Sequence, residues 1–190
     1  LPRSLAGLRV LLNGQPMPLL VVSPGEVRFQ VPWDTAPSSS NMLSIEPGSD
    51  VELEPPPLNL PVTDFEARLP GYPQPNVVPS EAFLSPAHQN FESLVTAHQP
   101  ARPGEIVHLF GTGFGPVVSP PPTGERGMSP TVRPVECTSS SGPVETVYSG
   151  LAPSMVGYYQ ISLRLPDTLK APAVYLQCTG FYGMIHTTGS

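Results

Sequence analysis

The stretch ARPGEIVHLFGTGFGPVVSPPP, residues 101–122, decides the fold. An apolar run from Ile106 to Phe110 leads into Gly111, Gly113 and Gly115 and then into prolines. This order is typical of a buried strand that enters a tight turn and cannot continue as a helix. The segments downstream of it are predicted to be strands that return and pair with it.

The composition favours an all-β protein. The 190 residues include 28 prolines and 17 glycines, and only 13% are charged. An interior proline costs a helix about 3 kcal/mol, whereas edge strands, strand starts and turns accept proline. Disorder is the competing interpretation of such a composition, but apolar alternation continues through most of the chain and 39% hydrophobic residues can build a core.

Charge and hydropathy exclude two classes of partner. The net charge is −6 and the nine basic residues are scattered, so the clustered basic face of a nucleic-acid-binding protein is not predicted. No run approaches eighteen apolar residues, so no membrane span is predicted. Because the chain starts at Leu1 without a signal peptide, we expect it to be a piece of a longer protein.

The chain is predicted to form two β-sandwich domains. The N-terminal domain, residues 1–75, is an incomplete copy, residues 76–100 are a proline-rich connector, and residues 101–190 are the C-terminal sandwich. A minority alternative places short helices at residues 81–84 and 89–96. The predicted strands are 8–12, 18–22, 27–31, 41–46, 58–62, 106–110, 131–138, 144–149, 158–165, 173–179 and 184–188.

An internal repeat supports two related domains. Residues 10–32 and 135–166 each run strand, turn, strand, turn, strand, and they end in VRFQVP and ISLRLP. The first copy has no upstream counterpart of residues 101–122. The first domain is therefore expected to be truncated, or completed by a segment that lies elsewhere.

Three segments carry a family resemblance: ARPGEIVHLFGTGFGPV, VYSGLAPSMVGYYQISLRLP and LAGLRVLLNGQPMPLLVVSPGEVRFQVPW. Together they resemble the C-terminal domain family of predicted secreted proteins of Solibacter-type Acidobacteria. The resemblance implies a pair of extracytoplasmic, immunoglobulin-like sandwiches similar to the IPT/TIG class, placed behind diverse N-terminal regions. The family has no established catalytic or binding residues, so it assigns none here.

Cys137 and Cys178 are the only two cysteines. In an exported protein they are expected to form a disulfide, for which the loop-closure model gives about 4 kcal/mol before any strain. Two buried free thiols and a catalytic thiol are the alternatives. A structural zinc site normally needs four Cys or His ligands at short spacings, so it is not predicted.

The remaining candidate sites have simpler structural explanations. His98 and His108 could bind a metal with Glu105, but no closely spaced ligand set is present, so no metal or cofactor is predicted. The acidic loop 46–54 could hold calcium, but a solvated loop is expected. The three glycines that follow Phe110 are not followed by a helix, so they indicate a β-bend rather than a phosphate loop.

Tyr158 and Tyr182 are the aromatics most expected to face a ligand, because Tyr159 and Phe181 beside them would point to the opposite face. No catalytic set is present, and the chain is not predicted to be an enzyme. We expect a non-catalytic accessory module at the bacterial cell surface or outside the cell, which binds a protein or a polysaccharide. A spacer or sorting module that serves the N-terminal region of the parent protein is the alternative, and a hydrolase fragment is a remote third possibility.

Overall fold

A computed structural model describes residues 1–48, 56–69 and 84–189, and all regular structure within them is β. None of these residues belongs to a helix of the length and apolarity needed to cross a membrane. Residues 81–83 of one minority helix lie outside the described ranges, as does most of the acidic loop, whereas residues 89–96 form a turn and bends instead of a helix. The strands are β1 (Arg9–Leu12), β2 (Gln15–Pro16), β3 (Leu19–Ser23), β4 (Glu26–Phe29), β5 (Ser38–Glu46), β6 (Leu58–Val62), β7 (Ile106–Gly111), β8 (Cys137–Ser139), β9 (Gly142–Pro143), β10 (Glu145–Leu151), β11 (Tyr159–Arg164), β12 (Ala173–Cys178) and β13 (Phe181–His186).

The chain divides into two compact units. The first unit contains Leu1–Asp64, Ser119–Met128 and Pro153–Gly157. The second unit contains Phe65–Val118, Ser129–Ala152 and Tyr158–Ser190. The described part of the predicted connector, residues 84–100, therefore belongs to the second unit.

In the first unit, four strands form an antiparallel sheet in the order β2-β1-β5-β6, and β3 pairs with β4 as a separate hairpin. The turn between β1 and β2 is Asn13-Gly14, with φ of 50° and 78° at the two residues. These values suit the two-residue hairpin turn that Asn-Gly predicts. The buried core consists of Val10, Leu12, Met17 and Leu19.

In the second unit, four strands form an antiparallel sheet in the order β13-β12-β8-β9, and three form a sheet in the order β10-β11-β7. The predicted organising strand is β7, and it pairs antiparallel with β11 from Tyr159↔Gly111 to Arg164↔Ile106. Val107, Ile161, Leu163 and Val174 are completely buried. Burial of these side chains is the main stabilising contribution in this unit, at about 25 cal/mol for each Å² of apolar surface.

The two units share a strand order. The sheet β2-β1-β5-β6 of the first unit corresponds to β9-β8-β12-β13 of the second, and β3-β4 corresponds to β10-β11. The register shifts at the same place in both hairpins, after Leu19 and after Thr146. The strand β7 has no counterpart among the described residues of the first unit.

The bend after β7 uses its glycines as predicted. Gly113 and Gly115 have φ of 77° and 92°, a region that disfavours other residues. A Cβ on Gly113 would stand 1.9 Å from the carbonyl oxygen of Glu66. The backbone of residues 66–68 therefore approaches this bend more closely than any side chain permits.

Several predicted strands have other bounds in the structure, and two of these differences have a clear cause. Of residues 131–138 only Cys137 and Thr138 lie in a strand, β8 (Cys137–Ser139), because Pro134 interrupts the segment. The last strand begins at Phe181 instead of 184, since Gly180, with φ of 84°, ends a turn there. Gly183 occupies a buried position of that strand and hides its apolar alternation.

Cys137 and Cys178 are paired directly across β8 and β12, and their sulfur atoms are bonded at 2.00 Å. Both residues are buried. Counting from the hairpin turns, this pair occupies the position that Val10 and Ile45 occupy in the first unit. The disulfide of the second unit thus replaces an apolar cross-strand contact of the first.

Candidate functional site

A polar cleft of about 950 Å³ lies in the second unit. Its walls come from the turn at residues 88–93 and from the segment that leads into β7. The lining residues are His88, Gln89, Asn90, Ser93, His98, Gln99, Pro100, Arg102, Pro103, Gly104, Glu105 and Thr188. Concave sites with convergent polar groups are the usual places for ligands, so we treat this cleft as the candidate site.

An ion pair between His88 and Glu105 holds the two walls together. His88 Nδ1 lies 2.6 Å from Glu105 Oε1, and His88 Nε2 lies 3.1 Å from the carbonyl oxygen of Gln99. Both partners are acceptors, so the ring satisfies both contacts only when each nitrogen carries a proton. The pair is largely shielded from solvent, with 16% and 13% of the two side chains exposed.

The carboxylate of Glu105 has a hydrogen-bond donor at each of its oxygens. Its Oε2 accepts a hydrogen bond from the backbone N–H of Arg102 at 2.8 Å, and its Oε1 accepts one from that of Gln89 at 3.4 Å. Burial raises the pKa of Glu105, but the hydrogen bonds from Arg102, His88 and Gln89 outweigh it and lower the pKa below its usual value of 4.5. Glu105 is therefore an ionised side chain that joins the segment leading into β7 to the turn at residues 88–93.

Most other polar side chains around the cleft are not used by the fold. Six of them make no side-chain hydrogen bond or ion pair with any described residue: Gln89, Ser93, His98, Gln99, Arg102 and Thr188. Arg102 and His98 are exposed. The cleft therefore presents several hydrogen-bond donors and acceptors and one permanent positive charge to a ligand.

An exposed aromatic ring belongs to the turn that forms one wall of the cleft, although Phe91 is not itself a lining residue. Phe91 belongs to the same turn as Asn90 and Ser93, and it stacks on His108 with ring centroids 3.9 Å apart and planes 13° apart. The left-handed φ of 60° at Phe91 places it there. Because 54% of Phe91 remains exposed, one surface of the ring faces solvent.

His108 supports this ring from below and does not line the cleft. It is 7% exposed, its Nδ1 lies 2.8 Å from Ser162 Oγ, and its Nε2 lies 3.4 Å from the carbonyl oxygen of Gln89. Burial lowers the pKa of His108 more than the Gln89 carbonyl and the charge of Glu105 raise it. A neutral ring that donates from Nε2 and accepts at Nδ1 satisfies both contacts.

The residues singled out from the sequence lie in different places. Tyr158 and Tyr182 are half-buried outside the cleft, and the ring of Tyr182 lies 6.3 Å from that of Tyr175. Of the three residues considered as metal ligands, His98 and Glu105 line the cleft, whereas His108 is buried. Within the described ranges, no group of three or more His, Cys, Asp and Glu residues is placed to hold a metal ion.

The sequence offered little signal for His88. It pairs with Glu105 across 17 positions, and no motif joins the two residues. No family model, no curated protein and no solved structure matches the chain. The cleft is therefore interpreted from its own geometry.

Proposed function

We propose that the chain is a non-catalytic recognition module of an exported bacterial protein, and that it binds a polysaccharide in the cleft beside Phe91. The observation that carries the proposal is the combination of polar side chains that have no side-chain partner among the described residues with an exposed, stacked ring in the same turn. A sugar offers hydroxyl groups for the former and an apolar ring face for the latter. Arg102 adds a site for an acidic substituent on the sugar.

The His88–Glu105 pair supports binding and not catalysis. Both ring nitrogens of His88 and both oxygens of Glu105 already have partners within the cleft wall. A general base needs an acceptor within hydrogen-bond reach of the substrate, and these two side chains spend most of their hydrogen-bonding capacity on the cleft wall. The pair fixes the two walls, which lowers the ordering cost of binding a ligand.

Export and family membership belong to the same proposal. A disulfide persists in oxidising compartments, and Cys137–Cys178 favours the cell surface or the extracellular space. The all-β units are compatible with immunoglobulin-like sandwiches of the IPT/TIG class, and the resemblance to the Solibacter-type secreted family points the same way. Such folds host many activities, so the ligand is argued from the cleft alone.

The test is saturable binding of the labelled chain to a panel of insoluble polysaccharides and bacterial envelopes. We expect Phe91→Ala and Arg102→Ala each to weaken binding to the best member of the panel at least tenfold, the loss of about 1.4 kcal/mol. Arg133→Ala and Met128→Ala are matched controls, because both residues are exposed and neither lines the cleft.

Two results would contradict the proposal. Equal loss in the cleft variants and in the controls would show that the cleft is not the site. Binding no stronger than that of an unrelated acidic, proline-rich protein, across the whole panel, would favour the spacer or sorting module.

A further inference from the structure

In the second unit, the strand β11 is paired on both edges. Its outer edge pairs with β7, with Ile161 opposite Leu109 and Leu163 opposite Val107. The backbone N–H of Leu165 continues this edge by donating to the carbonyl oxygen of Glu105 at 2.9 Å. The side chains of Val107 and Leu109 are 0% and 4% exposed, so β7 completes both the ladder and the core.

The strand β4 is the counterpart of β11 in the first unit. The register shift after Leu19 matches the shift after Thr146, and it aligns Arg28 with Ser162. Val27, Phe29 and Val31 therefore occupy the positions of Ile161, Leu163 and Leu165, and a proline follows each set. Among residues 1–48, 56–69 and 84–189, β4 pairs only with β3.

The backbone groups on the outer edge of β4 have no partner among the described residues. The N–H of Gln30 donates to Pro18 at 2.9 Å, toward β3. Because backbone groups alternate in direction along a strand, those of Val27, Phe29 and Val31 point the other way. Two buried side-chain donors at the same end of the strand, Gln30 Nε2 and Trp33 Nε1, also have no hydrogen-bond partner among the described residues.

The apolar side chains beside this edge are also more exposed than their counterparts in the second unit. Val27, Phe29 and Val31 are only partly buried and pack on the core of the first unit. Their counterparts Ile161, Leu163 and Leu165 are 0%, 0% and 2% exposed. An edge that combines unpaired N–H and C=O groups with half-covered apolar side chains is a template for another strand.

We propose that the outer edge of β4 binds a separate strand of polypeptide, antiparallel to β4 and apolar at alternate residues as β7 is. Strand addition of this kind takes affinity from main-chain hydrogen bonds and specificity from alternate side chains. We infer the character of the bound strand from the second unit, where β7 pairs with the equivalent edge of β11. This interaction uses no residue of the cleft and is independent of the polysaccharide proposal.

The probe is a fluorescent peptide with the sequence of residues 104–112, GEIVHLFGT, added to the full chain. We expect saturable binding by anisotropy. N-methylation at the Val107 or Leu109 position of the peptide should weaken it at least tenfold, because these amides face the paired edge. N-methylation at the His108 position is the matched control, since in the chain that amide donates to Ala87 on the opposite side.

Amide hydrogen exchange locates the bound peptide. We expect slower exchange at Val27, Phe29 and Val31 and little change at Arg28 and Gln30, whose amides face β3. The proposal fails if the peptide does not bind, if all three methylated peptides lose affinity equally, or if protection appears elsewhere. Protection of the same three amides that rises with protein concentration and needs no peptide would instead identify a second copy as the occupant.

Discussion

At the scale of single residues, two histidines in adjoining turns have opposite roles. His88 bridges two acceptors and needs both of its protons, whereas His108 is buried between Ser162 and the Gln89 carbonyl and is satisfied as a neutral ring. Both hold the turn that carries Phe91. The position of Phe91 therefore depends on the hydrogen bonds of both histidines.

The lowered pKa of His108 predicts a pH dependence of stability. Below about pH 6.5 His108 is protonated in the unfolded chain but stays neutral in the folded chain, until the pH falls to the lower pKa of the folded state. The contribution of His108 to stability is thus fully present above about pH 6.5, and it is lost as the pH falls toward the lower pKa of the folded state. The slope for one proton is at most about 1.4 kcal/mol per pH unit.

Urea denaturation of the wild type and of His108→Gln between pH 7.5 and pH 5 measures this contribution. Glutamine keeps one donor and one acceptor but does not titrate. We expect the free energy of unfolding to decrease more steeply with falling pH in the wild type than in His108→Gln. Parallel curves would show that His108 contributes no pH dependence.

At the scale of strands, the same pair of positions is filled in two ways. Cys137 and Cys178 are disulfide-bonded in the second unit, and Val10 and Ile45 lie opposite each other in the first. The covalent link joins strands that are already neighbours in the sheet. Its role is to hold β8, which is only three residues long, against β12.

This equivalence predicts which replacement the second unit accepts. Cys137→Val with Cys178→Ile installs the apolar pair of the first unit, and we expect it to cost less than Cys137→Ser with Cys178→Ser. Losing a native disulfide costs about 2–5 kcal/mol, and each buried hydroxyl without a partner adds about 1–3 kcal/mol. Thermal unfolding of both double variants gives the comparison, and equal melting temperatures would reject the equivalence.

Strands with an uninterrupted alternation were predictable from the sequence, and the cleft was not. Val27, Phe29 and Val31 signalled β4, and the apolar run at Ile106 signalled β7. Phe181 was missed because Gly183 takes a core position without adding an apolar side chain. His88 and Glu105 meet through a turn and an irregular segment, for which hydrophobic periodicity contains no information.

At the scale of the whole molecule, neither unit is a continuous stretch of chain. Gln30 of the first unit accepts a hydrogen bond from the Gly124 N–H at 2.8 Å through its Oε1, and the N-terminal amine donates to the Gly124 carbonyl at 2.7 Å. Gly124 belongs to a segment of the first unit that comes from the second half of the sequence. A cut at one linker therefore cannot separate the units intact.

We expect a fragment of residues 1–64 to lack a cooperative thermal transition, because Gln30 and Leu1 lose these partners. Circular dichroism of the fragment and of the full chain gives the measurement. The full-length variant Gln30→Leu is the control for the side-chain bond alone, and we expect it to keep its transition. A sharp, native-like melt of the fragment would show that residues 1–64 are self-sufficient.

Because the first unit is discontinuous in sequence, it cannot finish folding until its last segment has been synthesised. Residues 1–64 are made before the other segments of their unit, the last of which ends at Gly157, roughly 90 residues later. At about 5–20 residues per second, residues 1–64 wait roughly 5–20 s for the last segment of their unit. A chaperone that meets the growing chain must therefore tolerate an unfinished first unit until residue 157 has emerged.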